Sequence, residues 1–489
     1  MGSTGALLDH EGVSVDKEHV VLELRELLGE NRILSSEEET AAYGRDMTEA
    51  EGMVPVCVAM VRDPEEVKAL LLWANRSQVP VTPSVARTNL GGLAIPAEGG
   101  VVMDLTGMNR IIEVNEEDMY AVVEPGVTFG QMKEYLDTFH PGFRMGYPLA
   151  PPESSVLCNC LLDGLGNLSL RHGAMGDWIN GLEAVLPTGE AIKAGSSVLS
   201  PFWFGRVPVP DIVGLFTSWQ GTTGVVTKLA VQLWPQRCYR DRFFLMFYST
   251  STAIAVMRDL CRWDLFDDMG GLSWPTGKMS FGVALPQKDP NEPEFFLYLD
   301  YAADTRLELW AKRRALQRYL RKAFKRGLDF EGPVTVEDLL KLCPEFQKLA
   351  SFPTRLDFLL DAPGGGLTWV GTYGPMSRFL EGFRSAERVL RSKGRLPIIV
   401  ARPMKGGHFG VLRFISLFQR DDPAEVGEIR QLNRDLAIVL MDQGFIPYKA
   451  PRKVVDLFME RIDPGYADLI HKVKKLLDPQ GIMNPGKWI

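Results

Sequence analysis

The chain is poor in cysteine and histidine. Its 489 residues contain six of each, and the cysteines, at 57, 158, 160, 238, 261 and 343, include no C-x-x-C pair. The histidines, at 10, 19, 140, 172, 408 and 471, show no ligand spacing such as H-x-x-x-H. These patterns exclude a zinc ribbon and a disulfide framework, and we expect no metal site.

The chain also lacks an excess of basic residues. It has 54 Lys and Arg against 62 Asp and Glu, a formal charge of -8, which argues against nucleic acid as a partner. No apolar run reaches about 18 residues, the length that a membrane-spanning helix requires. The first residues show no basic segment followed by an apolar core, so we expect no secretory signal. We therefore expect a cytoplasmic protein, with peripheral contact to a membrane left open.

The overall composition is that of a globular protein. Hydrophobic residues make up 45% and charged residues 24%, which excludes a mainly disordered chain. At roughly 100–200 residues per domain, the length predicts two or three domains. Short β-rich runs alternate with helical segments before residue 238, and longer helices alternate with strands after it. This alternation predicts an α+β fold.

A loop over 81–96, VTPSVARTNLGGLAIP, follows a predicted strand and is rich in small and polar residues. Small residues let backbone N–H groups turn toward a bound anion, and Arg87 adds a positive charge. The loop therefore suits a pyrophosphate, although a plain connecting loop is the alternative. It contains neither a G-x-G-x-x-G fingerprint nor the G-K-[ST] end of a P-loop, so a nucleotide kinase is not indicated.

A second segment, over 148–190, is rich in Gly, Asn, Ser and Pro and leads into a predicted hairpin. Such a segment can approach a ligand with its backbone. Asp177 and His172 are acid/base candidates within it, and a loop-capping role is the alternative for both.

Several strings carry a resemblance to a known family. They are PSVARTNLGG (83–92), VVMDLTGMNRIIEVNEEDMYAVVEPGVTFGQM (101–132), SSVLCNCLLDGLGN (154–167), GLEAVLPTGE (181–190), GTTGVVTKLAVQLWP (221–235) and LLDPQGIMNPGK (476–487). Together they resemble the vanillyl-alcohol oxidase/p-cresol methylhydroxylase superfamily of FAD-linked oxidoreductases. GGGLTWVGTYGP (364–375) and GFIPYKAPRKVVD (444–456) resemble the p-cresol methylhydroxylase branch of it.

The resemblance implies an α+β fold with a PCMH-type FAD-binding domain of two α+β subdomains and a cap domain. The cap would have an antiparallel sheet flanked by helices. The implied boundaries are a helical lead-in over 1–50, the FAD-binding domain over 51–238, the substrate-binding cap over 239–450 and a C-terminal segment, 451–489, that returns to the FAD-binding domain.

The resemblance also implies FAD as the cofactor and a set of residues that contact it. The implied set is Pro83, Ser84, Val85, Ala86, Arg87, Thr88, Asn89 and Gly91 at the pyrophosphate, Pro125 and Gly126 on the adenine side, Ser154, Ser155, Val156, Asn159 and Gly164 along the flavin, Gly224, Val225 and Val226 on the adenosine or ribityl side, and Asn484 and Lys487 from the C-terminal tail.

The implied reaction is oxidation of a small alcohol, alkylphenol-like compound or hydroxy acid by hydride transfer from carbon to flavin N5. Electrons would pass on to a protein acceptor or to O2. Tyr448 matches the tyrosine that binds a phenolate in this branch, but Lys449 stands where an arginine normally follows. The acid expected near N5 is replaced by Ala150, and Glu153 is the nearest carboxylate. His408, in RPMKGGHFG, either faces the substrate or is structural. Tyr448, Lys449, His408 and Glu153 are thus the catalytic candidates.

Covalent attachment of the flavin is not expected. The loop over 83–92 has no histidine or cysteine, which excludes the histidyl link that other branches make there. The nearest cap residues for a link are Tyr373 and His408, and neither aligns cleanly with the branch. We therefore expect non-covalent FAD.

One predicted helix, over 305–327, carries nine basic residues and a single acid, Glu308. Three interpretations stay open: a solvated face, a docking site over 306–326 for an acidic electron acceptor, or contact with an anionic membrane. The branch commonly forms dimers, so a homodimer is expected. The alternative to an independent enzyme is a flavoprotein subunit of a larger electron-transfer complex with little substrate chemistry of its own, which Ala150 and this helix favour.

Overall fold

The computed structural model describes residues 7–8, 14–280, 283, 286–342, 353, 357–361 and 363–488. Cys343 and most of the first 13 residues lie outside this part of the chain.

The first part of the chain forms a small mixed sheet. Its elements are β1 (Leu7–Leu8), β2 (Ser14–Val15), α1 (Lys17–Leu28), β3 (Ile33–Leu34), α2 (Glu37–Ala41), β4 (Cys57–Met60), α3 (Pro64–Ser77), β5 (Val81–Ser84) and β6 (Val101–Asp104). The sheet order is β3-β4-β6-β5. The β-rich runs at 54–61 and 79–84, with a helical stretch that opens at Asp63-Pro64 between them, predict a strand, a helix and a strand, and all three are present. However, β4 and β5 do not pair, because β6 lies between them and runs parallel to both.

The caps of this part follow the sequence signals. Asp63 accepts hydrogen bonds from the backbone N–H groups of Glu65 and Glu66, with Pro64 as the first residue of α3. Ser36 and Glu39 form a capping box at α2. The lead-in also contributes β3 to the sheet, so it is less purely helical than expected.

The second part forms a five-stranded antiparallel sheet in the order β11-β10-β12-β8-β7. The predicted hairpin is present: strands Ile179–Val185 and Ala191–Gly195 pair with each other and are joined by a turn at 187–189. The elements are β7 (Ile111–Asn115), β8 (Tyr120–Val123), α4 (Phe129–Phe139), β9 (Phe143–Arg144), α5 (Val156–Leu161), α6 (Ser169–His172), β10 (Ile179–Val185), β11 (Ala191–Gly195), β12 (Val225–Gln232) and β13 (Trp234–Pro235).

The third part is built on an eight-stranded antiparallel sheet, here called the cap sheet, in the order β17-β14-β16-β15-β19-β20-β18-β21. Its elements are β14 (Tyr239–Phe247), α7 (Thr250–Leu260), β15 (Asp268–Ser273), α8 (Trp274–Ser280), β16 (Phe295–Ala303), α9 (Arg306–Lys325), β17 (Glu331–Thr335), α10 (Val336–Leu342), α11 (Asp357–Leu360), β18 (Gly365–Gly374), α12 (Phe379–Ser392), β19 (Ile398–Met404), β20 (Phe409–Gln419), α13 (Pro423–Met441) and β21 (Ile446–Pro447). The predicted boundary after residue 238 falls between β13 and β14.

Strand periodicity gives the cap sheet two different faces. On β14, Phe243, Leu245 and Phe247 join the main apolar core with helices α7, α9, α12 and α13. Arg242 and Phe244, which alternate with them, point to the opposite face and line a cavity. The sheet therefore separates its covering helices from the candidate site.

The chain ends with α14 (Arg452–Met459) and α15 (Pro464–Leu477), followed by a tail that returns to the first sheet. Met483 forms an isolated parallel bridge with Val81 of β5. Within the described ranges, no helix is long and apolar enough to cross a membrane.

Candidate active site

A cavity of about 810 Å³ lies between the first two sheets and the cap sheet. Residues from all three contribute to its wall, so the cavity is continuous from the FAD-binding part to the cap. On the side of the first two sheets, the wall consists of the loop over 83–94 and segments 148–165 and 220–226. On the other side, it consists of strands β14, β15, β16, β18, β19 and β20 of the cap sheet.

The loop after β5 is held in shape by the N-terminal segment. Arg87 has a positive φ of 53°, and its Nη1 donates to the carbonyl oxygen of Ala42 at 2.8 Å. Its guanidinium carbon lies 4.0 Å from the centre of the Tyr43 ring. Asn89 Oδ1 accepts a hydrogen bond from the Gly91 backbone at 2.7 Å. These contacts fix one cation in the cavity wall.

The C-terminal tail closes the same loop from the other side. The buried Lys487 Nζ donates to the carbonyl oxygens of Gly92 at 2.9 Å and Ile95 at 2.7 Å. Burial lowers the pKa of Lys487 to about 8. Asn484 donates through Nδ2 to the carbonyl oxygen of Gln220 at 2.7 Å. The tail thus positions the loop and joins it to the segment before β12.

This side of the cavity has unused polar groups that fit a dinucleotide. Three buried atoms of residues that line this side of the cavity have no hydrogen-bond partner within the described chain: Ser154 Oγ, Gln220 Oε1 and Asn484 Oδ1. Burying a polar group without a partner is unfavourable, so their clustering around one cavity indicates a polar ligand there. Together with Arg87, they suit a pyrophosphate-containing cofactor such as FAD.

The start of α5 faces this cavity. Ser155 donates through Oγ to the carbonyl oxygen of Pro125 at 2.6 Å and accepts from the Cys158 backbone at 3.1 Å. One turn later, Asn159 lines the cavity and accepts a hydrogen bond from Lys449. This side of the cavity is thereby joined to the cap at Asn159.

On the cap sheet, strand register brings Val400, Arg413 and Gly371 side by side. Gly371 has no side chain, and a Cβ there would lie 2.7 Å from the ring of Tyr448. The ring therefore lies across the strand, where its hydroxyl oxygen accepts hydrogen bonds from Arg413 Nε at 2.9 Å and Nη2 at 2.7 Å. The guanidinium carbon of Arg413 also lies 4.0 Å from the centre of the Trp369 ring.

A second cation in the cap is already neutralised. Arg402, which is buried, donates through Nη2 to Asp268 Oδ1 at 2.5 Å and to the carbonyl oxygen of Gly166 at 2.8 Å. The Tyr298 hydroxyl donates to Asp268 Oδ2 at 3.3 Å, and its ring occupies the space above Gly270. Burial raises the pKa of Asp268, and the charge of Arg402 opposes this effect.

A third cavity-lining arginine, Arg242, also has an acidic partner. It pairs with Asp300, which also accepts from Arg240 and is fully buried. Burial acts to raise the pKa of Asp300, but the two guanidinium groups outweigh it and hold that pKa well below its usual range. Arg242 and Arg402 are therefore both engaged by buried aspartates, although Arg242 shares its partner with Arg240.

Lys449 differs from these arginines. Its Nζ donates to Asn159 Oδ1 at 2.8 Å across the domain boundary. Burial, with the nearby charge of Arg413 as a smaller cause, lowers the pKa of Lys449 to about 7. The φ of Lys449 is 52°, so its backbone adopts the left-handed conformation. It lines the cavity between α5 and the cap sheet.

Most of the residues that the sequence indicated come together at this cavity. Those that line it are Pro83, Val85, Ala86, Arg87, Thr88, Asn89, Pro125, Glu153, Ser154, Ser155, Asn159, Gly224, Val225, Val226, Lys449 and Asn484. Those that lie outside the lining are Ser84, Gly91, Gly126, Val156, Gly164, Lys487, Tyr448 and His408. Tyr448 is joined to the cavity through Arg413, and Lys487 through the loop carbonyls.

The placement of His408 disagrees with a substrate-facing role. His408 is exposed in the turn between β19 and β20, beside Lys405, whose ammonium pairs with Asp177 at 3.3 Å. A glycine-rich turn carries the side chain away from the sheet face that lines the cavity. His172 is also outside the lining: it stacks on Trp234 at 4.6 Å, and burial lowers its pKa to about 4.

Sequence reasoning missed Arg413 and Gln220. Arg413 and Arg402 lie on different strands, and only the sheet register places them on one face with Tyr298. Arg413 sits in no local motif, so a single sequence offers no signal for it. Gln220 directly precedes the recognised string over 221–235, where extending that string by one residue would have included it.

Comparison with known proteins defines the class. Residues 55–195 match the family model of the FAD binding domain, and residues 455–488 match that of the C-terminal domain of FAD linked oxidases. The chain thus contains the FAD binding domain and the C-terminal domain of FAD linked oxidases, and its cofactor is FAD.

Individual relatives differ in how much of the chain they cover. The mitochondrial D-lactate dehydrogenase [cytochrome] of Arabidopsis thaliana is 30% identical over 47% of this chain, which spans 39% of that protein's length. The 4-cresol dehydrogenase [hydroxylating] flavoprotein subunit of Pseudomonas putida is 23% identical over 96% of this chain and 94% of its own. The solved structure of p-cresol methylhydroxylase with substrate bound has a TM-score of 0.87 at 22% identity, over 99% of this chain and 98% of that one. The part of the chain that the structure describes thus has this fold.

Proposed function

We propose that the protein oxidises a small organic substrate, using FAD bound in the cradle formed by 83–94, 148–165, 220–226 and the C-terminal tail. The observation that carries the proposal is the single cavity that runs from this cradle to the cap sheet. FAD, when bound, supplies an acceptor for a hydride from a substrate carbon. The cap would hold the substrate against it.

The chain's own residues would bind the substrate and exclude water. The apolar wall around Leu367 and Ile415 would surround its body, while Arg413 would bind a polar or charged oxygen. Tyr448 would orient Arg413, because its hydroxyl oxygen accepts two hydrogen bonds from the guanidinium. Glu153 lines the FAD side of the cavity and is our candidate for accepting a substrate proton.

The test is anaerobic addition of phenols, primary alcohols and hydroxy acids to the purified protein while the visible absorption of its flavin is followed. Bleaching by one class would support the proposal and identify that class. A flavin that dithionite reduces but no compound of the panel does would instead favour the subunit alternative.

We also propose that the FAD is held without a covalent bond. The Tyr373 hydroxyl is engaged by the carbonyl oxygen of Asp163 at 2.5 Å, its ring stacks on Tyr448, and it lies outside the cavity lining. His408 is exposed. Cys158 lines the cavity, but burial raises the pKa of its thiol and so disfavours the nucleophilic thiolate.

Electrons would leave through an acidic protein acceptor that docks on α9. The exposed side of this helix carries Arg314, Arg318, Arg321 and Lys325, and the helix packs against the sheet whose other face lines the cavity. Phe324 of the same helix is 66% exposed and adds an apolar group to this surface. The dehydrogenase and flavoprotein-subunit relatives support an acceptor of this kind.

Charge reversal tests the docking surface. Changing Arg318 and Arg321 to Glu should slow reoxidation of the reduced protein by an acidic cytochrome. The rate of reoxidation should also depend less on the salt concentration. Flavin reduction by substrate should stay the same. The control is Lys472→Glu on α15, an exposed cation outside this surface. Equal reoxidation rates in both variants would reject α9 as the docking site.

A further inference from the structure

Among the described residues that the cap contributes to the cavity lining, two cations, Arg413 and Lys449, form no salt bridge. Arg413 is bonded to the Tyr448 hydroxyl and lies against Trp369, and Lys449 is bonded to the Asn159 amide. Within the described chain, neither forms a salt bridge. They contrast with Arg402 and Arg242, each of which pairs with a buried aspartate.

The two cations also interact unfavourably with each other. The guanidinium carbon of Arg413 and the Nζ of Lys449 each lie 5.9 Å from the centre of the Tyr448 ring. The charge of Arg413 disfavours the protonated form of Lys449, and the charge of Asp163, which does not line the cavity, favours it. Among the described lining residues the acids are Asp46 and Glu153, and neither is on the cap sheet. An anion between Arg413 and Lys449 would relieve the repulsion between them.

The wall beside this pair is apolar. Leu359, Leu367, Val400 and Ile415 form one cluster, against which Leu272 and Trp369 pack. All six line the cavity. A hydrocarbon or aromatic body would bind favourably against this wall. Its aliphatic side chains offer no hydrogen bonds to a small polar acid.

We propose that the substrate is a carboxylate with a large apolar body, its carboxylate bound between Arg413 and Lys449 and its body against the apolar cluster. The inference rests on the proposed function and specifies its substrate class.

The donor set favours a carboxylate over a neutral phenol. The outer edge of a guanidinium matches the two oxygens of a carboxylate, and described residues engage Arg413 only through Nε and Nη2. A carboxylate arrives ionised at neutral pH, whereas a phenol would need a base.

The test is a titration of the oxidised, FAD-loaded protein with ligands that it cannot oxidise, followed by the change in the flavin spectrum. The probes are benzoate and phenylacetate, with benzamide, phenol and acetate as comparisons. We expect the two aryl carboxylates to bind at least about tenfold more tightly than the other three, because only they satisfy both cations and the apolar wall.

Variants identify the residues responsible. Arg413→Met and Lys449→Met should each weaken phenylacetate about tenfold while leaving benzamide unchanged. Arg413→Lys keeps the positive charge, so its affinity for phenylacetate should fall by less. Arg452→Met, an exposed cation paired with Asp456 outside the cavity, is the control. Flavin content and the thermal midpoint verify folding of each variant.

Equal binding of phenylacetate and benzamide, tighter binding of phenol, or equal binding of acetate would overturn the inference. So would unchanged affinity in both Met variants. The titration needs bound flavin but no turnover. A protein that binds phenylacetate as expected yet is reduced by no compound would reject the proposed function and keep this site.

Discussion

The hydroxyl oxygen of Tyr448 accepts two hydrogen bonds from Arg413, at 2.9 Å from Nε and 2.7 Å from Nη2. Burial raises the pKa of Tyr448, so the phenol stays neutral at physiological pH. Because Arg413 lines the cavity and Tyr448 lies outside its lining, the tyrosine acts as a positioning residue.

Removing that hydroxyl should impair substrate use while FAD stays bound. Tyr448→Phe frees the Arg413 guanidinium, and we expect flavin reduction to slow by roughly tenfold or more. The measurement is anaerobic stopped-flow reduction over a range of substrate concentrations. The control is Tyr373→Phe, which removes the hydroxyl from the ring that stacks on Tyr448. Unchanged kinetics in Tyr448→Phe would remove this residue from the site.

Gly371 allows the Tyr448 ring to cross the strand. A Cβ at Gly371 would lie 2.7 Å from Tyr448 Cε1, so Gly371→Ala should displace the ring and destabilise the protein by about 1–3 kcal/mol. Urea unfolding measures the change. Gly427→Ala is the control, because its Cβ would meet open space on α13 and should be neutral or stabilising. A neutral Gly371→Ala would show that the cap is not close-packed there.

The pH dependence of anion binding should follow Lys449. Its pKa is lowered to about 7, so the ammonium is charged below that pH and carboxylate binding should weaken as the pH rises through about 7. Asp163, facing Lys449, has a pKa raised to about 6 by burial and titrates in the same direction at lower pH. The pKa of Cys160, also near Lys449, is raised too far to contribute.

Lys449→Arg tests this assignment, because arginine stays charged throughout the range. Phenylacetate affinity, measured by flavin perturbation from pH 6 to about 9, should lose its step near 7 in the variant. A step that persists in Lys449→Arg would assign the titration to another group.

The buried pair of Arg402 and Asp268 should be essential for cap stability. Asp268→Asn leaves Arg402 without its counter-charge beside the carbonyl of Gly166, and we expect a loss of about 3–5 kcal/mol. Chemical unfolding measures it, with Asp468→Asn in an exposed pair as the control. A loss no larger than that of the control would show that water reaches Arg402.

Lys487 should affect FAD affinity and leave substrate preference unchanged. Lys487→Met removes the bonds to the carbonyls of Gly92 and Ile95, which should loosen the loop and weaken FAD about tenfold. Equilibrium dialysis of FAD measures this, with the exposed Lys472→Met as the control. A normal FAD affinity would show that the loop keeps its shape without the tail.

The cradle was largely predictable because its residues are contiguous. The loop at 83–92, the α5 start at Ser155 and the tail at Asn484 each lie in a recognisable local string, and most of the residues indicated there line the cavity. The βαβ pattern predicted the elements correctly but not the insertion of β6, because pairing order depends on later sequence.

The cap was much less predictable. Arg402 and Arg413 meet only through the β19–β20 register, and His408, which looked like a candidate among its glycines, lies in the exposed turn of that hairpin. A charged residue on a strand shows no period that distinguishes a cavity face from a solvent face. Partners far apart in the chain, such as Asp268 and Arg402, become visible only in the folded sheet.

The most direct test of the account is the visible absorption spectrum of the purified protein before and after acid precipitation. We predict a yellow protein whose flavin appears in the supernatant as FAD, because the cradle binds it without a covalent bond. Colour retained in the pellet would contradict the non-covalent assignment. A colourless protein that FAD cannot reconstitute would contradict the central claim.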